Sequence, residues 1–352
     1  MLSYFLLMYK LIIRPFLFLL PPETVHRFVI NAIKIGFKVP GVRFLVNSVF
    51  TYTNKKLERK VFGIRFKNPV GLAAGFDKNA ESFEDLRVFG FSFIEVGTVT
   101  PEPQPGNPKP RSFRLISDFA LINRMGFNNK GVIAAKKALE KKGKKVIIGG
   151  NIGKNTATPN HLAVEDYVKC FTELYHHVDY FVVNISCPNI TSLRELQDKD
   201  NLKEILVALT KLRFKQSIYK PILLKVSPDL NEKQLNDTID IAQEVGLDGF
   251  VATNTTTSRE GLKTSKERIN HIGNGGLSGA PLRSRSTEVI RFISQKTNGT
   301  MPIIGSGGII TLEDAIEKIK AGASLIQLYT GFIYQGPGLA KRICKEIAKL
   351  EG

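Results

Sequence analysis

Eight short apolar runs constrain this chain more than any other feature. They occupy residues 69–74, 93–97, 146–150, 180–185, 222–226, 249–252, 302–304 and 324–328, bounded by glycine or proline. Amphipathic stretches alternate with them, among them 130–142, 162–176, 202–215, 232–245 and 312–321. A run that is apolar on both faces suits a strand buried on both sides, as in a parallel sheet. About eight such units in roughly 280 residues is the arithmetic of a (β/α)8 TIM barrel. A doubly wound sheet is the alternative. The apolar fraction of 43% excludes a disordered chain. Three cysteines without a spacing pattern exclude a disulfide scaffold and suggest a reducing compartment.

Where each run ends, polar residues begin. Asp77-Lys78 follows the first, Gly97-Thr98 the second, Asn151 the third and Asn184 to Asn189 the fourth. Lys225, Thr253-Asn254-Thr255, Gly305 to Gly308 and Tyr329-Thr330 end the remaining four. In a barrel these positions meet at the C-terminal mouth, where active sites lie, so an enzyme is expected. Glycine-rich turns at 273–279 and 305–308, with Gly331, follow the late runs. The loops after late barrel strands are the usual phosphate site, and glycine lets backbone N–H groups approach an anion. The other mouth residues are amides and lysines: Asn123, Asn128, Asn151, Asn184, Asn189, Asn254, Lys78 and Lys225. These suit a planar polar heterocycle beside a phosphorylated cofactor. No Cys/His metal spacing and no Gly-x-Ser-x-Gly elbow occurs, and no metal is expected.

The first 50 residues read differently. Net charge is +18, and residues 1–60 supply +8 of it through ten Lys/Arg against Glu23 and Glu58. The same segment holds the most apolar stretch, residues 2–20. Its twelve Leu, Ile and Phe contribute roughly −0.5 kcal/mol each on an insertion scale, while Lys10 and Arg14 cost about +3 each. That sum lies near zero and does not decide for a membrane span. Pro21-Pro22 breaks the stretch, and Val25, Phe28, Val29, Ala32, Ile33 and Phe37 then recur at helical spacing. Two amphipathic helices with basic edges fit an anionic membrane surface. Residues 1–50 are therefore expected to form a two-helix membrane-associating extension, and residues 51–352 the barrel.

Several motifs resemble the dihydroorotate dehydrogenase family. They are Gly71-Leu-Ala-Ala-Gly-Phe-Asp-Lys78, Gly97-Thr98-Val99-Thr100-Pro101, Pro103-Gln104-Pro105-Gly106-Asn107, Asn123-Arg-Met-Gly-Phe127-Asn128-Asn129 and Asn184-Ile-Ser-Cys-Pro-Asn189. Gly276-Leu-Ser-Gly279 and Tyr329-Thr330 add to them. The extension makes the chain similar to the quinone-dependent class of that family. The resemblance implies an FMN enzyme of pyrimidine biosynthesis that oxidises dihydroorotate to orotate and reduces a membrane quinone. It places FMN against Ala74, Gly75, Phe76, Asp77, Lys78, Thr98, Asn151, Asn184, Lys225, Thr253, Gly279, Gly308, Tyr329 and Thr330. Substrate falls to Lys78, Asn123, Arg124, Met125, Gly126, Phe127, Asn184, Asn189, Asn254 and Thr255. His26, Arg114 and Tyr329 match the quinone site. The base position is Cys187, where quinone-dependent members usually carry Ser. A thiol, with an ordinary pKa of about 8.5, is the better base near neutral pH.

The resemblance further implies a monomer on the cytoplasmic face of a bacterial inner membrane, with no nucleic-acid partner. Residues 191–201 are a candidate lid, and Cys170 and Cys344 read as ordinary helix thiols. Two other enzymes share enough of these features to compete. One is a tRNA-dihydrouridine synthase-type FMN barrel, which would place the basic charge on RNA. The other is a soluble dihydroorotate dehydrogenase using fumarate or NAD, which Cys187 favours and the extension opposes.

Overall fold

The computed structural model describes residues 7–140, 143, 146–185 and 199–351. Eight parallel strands close into a barrel in chain order. They are β1 (Val70–Leu72), β2 (Phe93–Val99), β3 (Ile147–Ile152), β4 (Tyr180–Asn184), β5 (Ile222–Val226), β6 (Gly249–Ala252), β7 (Ile303–Ser306) and β8 (Leu325–Leu328). Closure is made where β8 pairs with β1, Gln327 opposite Gly71. All eight apolar runs are strands, to within two residues at their ends.

Side chains alternate along a strand, so every second residue points into the barrel. The lowest inward layer is apolar: Phe93, Tyr180, Val182, Leu223, Val251, Ile304 and Leu325 pack together. Large rings fit because their neighbours are glycine. A Cβ on Gly71 would lie 2.3 Å from the Phe93 ring, and one on Gly149 2.3 Å from Tyr180. Val61 and Phe66, from the antiparallel pair Arg59–Val61 and Ile64–Phe66, close the barrel bottom against this layer. Two residues further up each strand, the inward positions become Glu95, Asn151, Asn184, Lys225, Ser306 and Gln327. The period of two thus carries the chain from an apolar plug to a polar mouth.

A three-stranded antiparallel sheet accompanies the barrel, with Ala120–Asn123 between Ser112–Leu115 and Gly276–Gly279. It brings the 120s and the glycine-rich 270s together. The extension differs from the two-helix expectation. A π-helical turn, Tyr9–Ile13, runs into Arg14–Phe18, followed by α1 (Pro22–Gly36) and a further helix, α2 (Val42–Phe50). Val42, Leu45, Val46 and Val49 give α2 its apolar spacing, but a nine-residue helix between short turns leaves a weak periodic signal. Among the described residues, no helix is long and apolar enough to cross a membrane.

Candidate active site

A cavity opens at the C-terminal mouth. Its walls include Ala74, Gly75, Lys78, Thr98, Asn184, Lys225, Thr253, Gly308, Tyr329 and Thr330, all expected at a cofactor. Asn123, Met125, Gly126, Phe127, Asn254 and Thr255, expected at a substrate, line the same space. The structure therefore brings both groups into one site.

Five expected residues stand outside its lining. Phe76 lies behind Tyr329, ring to ring at 5.5 Å. Asp77 turns away and accepts from the backbone N–H of Glu81 at 2.9 Å and Ser82 at 2.8 Å, which fixes the turn after β1. Arg124 holds the Asn274 carbonyl at 3.0 Å and sits over the Phe113 ring, 4.7 Å from its centroid. Asn151 lies beneath the cavity, and Gly279 behind its wall, where a Cβ would come within 2.2 Å of the Phe119 carbonyl. Cys187 and Asn189 lie outside the described residues, as does most of the candidate lid.

One hydrogen-bonded chain links the polar walls. The Asn254 amide donates to Asn184 Oδ1 at 3.2 Å, and Asn184 Nδ2 donates to Thr98 Oγ1 at 2.9 Å. Thr98 Oγ1 in turn donates to Asn151 Oδ1 at 2.6 Å. Asn151 Nδ2 donates to Glu95 Oε1 at 2.7 Å, and Gln327 Nε2 to Glu95 Oε2 at 2.6 Å. Lys225 Nζ stands 3.6 Å from the same carboxylate. Lys78 Nζ donates to Asn128 Oδ1 at 2.7 Å on the opposite side. Beneath this floor, burial and then the Glu95 charge push the Tyr180 hydroxyl well above its ordinary pKa, so it stays protonated.

The late-strand side is built from backbone. Ser306, Gly307 and Gly308 line the cavity after β7. A Cβ on Gly308 would sit 2.2 Å from Arg283 Cα, so only glycine lets this turn meet the start of the helix Arg283–Lys296. Ser278 and Thr330, 2.9 Å apart through their hydroxyls, complete that side. Two lysines, aligned amides and a glycine turn with hydroxyls match a ring-bearing phosphate ester. Gln327, a residue of the cavity wall, has its Oε1 buried without a hydrogen-bond partner among the described residues.

Sequence reasoning missed Glu95 and Gln327, as well as Leu282 and Ile309, and marked Ser278, Ser306 and Gly307 only as parts of the glycine-rich turns. Glu95 and Gln327 did carry a signal, being polar residues inside runs otherwise apolar.

The extension docks beside this mouth. His26 of α1 meets the Phe76 ring edge-on at 4.9 Å, and Phe76 meets Tyr329 in the cavity wall. Burial, then the Lys78 charge, pushes the imidazole pKa down to about 4, against a hydrogen bond to the Phe76 backbone. His26 is thus neutral at pH 7. Burial pushes the Tyr329 hydroxyl up to about 12. Arg114 lies 4.5 Å over the Phe18 ring and donates to the Leu20 carbonyl at 2.7 Å. Its Nε is buried without a hydrogen-bond partner among the described residues. His26 and Tyr329 therefore join one aromatic contact chain, while Arg114 is held by the turn that precedes α1.

Fold and site together define a barrel oxidoreductase. The family model for dihydroorotate dehydrogenase matches residues 56–350. A protein of Christiangramia forsetii, named dihydroorotate dehydrogenase (quinone), is 58% identical over 97% of this chain and 98% of its own length. One of the same name from Thermosynechococcus vestitus is 52% identical over 84% of this chain and 82% of its own. The ligand-free crystal structure of DHODH from Eimeria tenella superposes with a TM-score of 0.84 at 37% identity, covering 94% of each chain. Its complex with ferulenol gives 0.81 at 36%, covering 94% of this chain and 91% of that one. This chain belongs to the dihydroorotate dehydrogenase family, in its quinone-dependent class. That assignment decides between the dehydrogenase classes that the extension and Cys187 had pulled apart.

Proposed function

We propose that the mouth cavity binds FMN and dihydroorotate together, and that the chain oxidises dihydroorotate to orotate and passes the electrons to a membrane quinone. The observation that carries this reading is the single cavity in which glycine turns, amides and two lysines converge. When bound, FMN supplies the two-electron acceptor for the hydride that leaves substrate C6. The chain's own groups do the rest. Lys78 pairs with the substrate carboxylate, and Asn123, Asn184 and Asn254 read the amide edges of its ring. Lys225 stabilises negative charge that reduction brings to the cofactor ring, as a preorganised cation in a site sheltered from water. Gly308, Ser306 and Thr330 hold the phosphate. Cys187, as its thiolate, removes the C5 proton.

Twelve exposed large apolar side chains between Leu7 and Leu45 give the extension a face for the bilayer. His26 and Tyr329, joined through Phe76, mark the quinone's approach to the cofactor. This makes the chain a peripheral membrane protein, placed on the cytoplasmic face of the inner membrane where its soluble substrate is made.

The test is anaerobic. Dihydroorotate should bleach the flavin absorbance of the purified protein, and a quinone should restore it much faster than fumarate or NAD. Absent bleaching, or preferential reoxidation by fumarate or NAD, overturns the reading. Cys187→Ala should slow bleaching by roughly a hundredfold or more with FMN still bound, the usual range for a lost general base. Near-wild-type bleaching would remove Cys187 from the mechanism.

A further inference from the structure

We propose that Glu95 is a positioning residue for the ring end of the cofactor site, holding the Lys225 ammonium and setting which way the Asn151 and Gln327 amides face. This rests on the reading of the cavity as a flavin site.

Glu95 lies in the middle of β2 and is fully buried. A carboxylate only accepts hydrogen bonds. Both amides beside it must therefore turn their NH2 groups inward, Asn151 to Oε1 and Gln327 to Oε2. Two consequences follow at the cavity. Asn151 Oδ1 is left facing Thr98, which donates to it, and so orders the chain through Asn184 to Asn254. Gln327 Oε1 is left buried in the cavity floor, above Tyr180, without a hydrogen-bond partner among the described residues. The carboxylate also stands opposite the Lys225 ammonium.

Packing alone does not call for an acid here. A buried ion pair recovers its desolvation cost poorly, and apolar residues of similar volume are often as stable or better. The layer directly beneath is built that way, from Phe93, Leu223, Val251 and Ile304. A charge one layer higher, where the floor meets the cavity, has a different use. It partly neutralises Lys225 and fixes the orientation of the Asn151 and Gln327 amides at the cavity floor.

Glu95→Gln tests this with little change in shape. Glutamine carries one acceptor and one NH2, so Asn151 and Gln327 can no longer both donate to it, and Lys225 loses its counter-charge. The mutant should still bind FMN. Its flavin should be easier to reduce, with the reduction equilibrium displaced at least tenfold, about 30 mV for a two-electron couple. Glu95→Asp keeps the charge and should stay within threefold of wild type. An unchanged potential in Glu95→Gln, or an equal displacement in Glu95→Asp, overturns the proposal. If Glu95→Gln does not fold, Gln327→Met tests the same floor. FMN should then bind at least tenfold more weakly, and unchanged affinity overturns the proposal. Wild-type protein that fails to bind FMN would instead sink the flavin reading, so the two failures are told apart.

Discussion

The extension and the barrel solve opposite problems with similar residues. In the barrel, apolar side chains face inward, and polar ones gather at the mouth. Over residues 7–50 only Val25 and Phe50 are well buried. Of twenty exposed large apolar side chains among the described residues, twelve lie in the extension, so its apolar surface is not used up by packing. Ile30, Ile33, Phe37, Val46, Val49 and Phe50 pack on the barrel core, and polar contacts add to them. Tyr9 donates to the Ile333 carbonyl at 2.6 Å, and Arg14 to the Tyr334 carbonyl at 3.0 Å. Glu23 pairs with the buried Arg111 at 3.0 Å, Arg43 with Asp85, and Lys341 reaches the Val49 carbonyl at 2.6 Å. Arg14, counted in the sequence as a charge within the apolar stretch, reaches the barrel's C-terminal segment. An element that keeps twelve large apolar side chains exposed after docking holds that side for something else.

The largest effect should come from removing that side. Leu11, Phe16, Phe28 and Phe44 are each at least 60% exposed. Burying such a side chain contributes roughly 1.5–3 kcal/mol. Changing all four to Ser should weaken binding to vesicles of anionic phospholipid by about a thousandfold or more. Flavin bleaching by dihydroorotate should be unchanged. Phe214→Ser, on an equally exposed apolar residue of the barrel (77%), should leave vesicle binding as it was. Equal losses from both proteins would erase the distinction between the regions.

The converse substitution belongs to the barrel plug. Phe93 is fully buried, and a buried Phe→Ala costs about 3–5 kcal/mol. Phe93→Ala should lower the denaturation midpoint accordingly. Ile12→Ala, at an exposed site in the extension, should change it by less than about 0.5 kcal/mol. Urea unfolding followed by circular dichroism compares the two directly.

Legibility in the sequence divides along the same line. The eight strands were readable because strands buried on both faces leave unbroken apolar runs. The mouth was readable because polar residues and glycines begin where those runs stop. Glu95 and Gln327 were not singled out, since one polar residue within a run looks like noise until the barrel places both at one height. The split between lining and supporting residues was also hidden. Asp77 and Arg124 sit in the right motifs, but their side chains are committed to backbone groups of neighbouring turns. In the extension, charge and hydropathy marked the surface character. The third helical element and the docking of Arg14 depend on contacts with the C-terminal residues 333–341, which local pattern does not encode.

The smallest effect is one of acid, and it has opposite signs in the two regions. The His26 pKa is lowered from 6.5 to about 4, chiefly by burial. Between those values the unfolded or undocked imidazole takes up a proton that the docked one refuses. Its contribution is therefore whole above pH 6.5 and is lost as pH falls toward 4. For Glu23, burial pushes the carboxyl up, but the Arg111 hydrogen bond and charge, with Lys109 and Lys78, leave it below its usual 4.5. Its contribution is whole above that value and is lost as pH falls through the lowered one. Both groups thus loosen α1 in acid. In the barrel, burial raises the Asp77 carboxyl despite hydrogen bonds from the Ser82 and Glu81 backbone. A raised acid gains relative to the unfolded chain as pH falls, so it opposes that trend. Hydrogen-exchange protection of α1 should therefore drop from pH 6.5 to 4, while that of β1 and β2 holds. His26→Gln should flatten the upper part of the drop and Glu23→Gln the part below pH 4.5. A parallel loss in α1 and in the barrel strands would show that acid acts on the whole fold and not on the polar seam between its two regions.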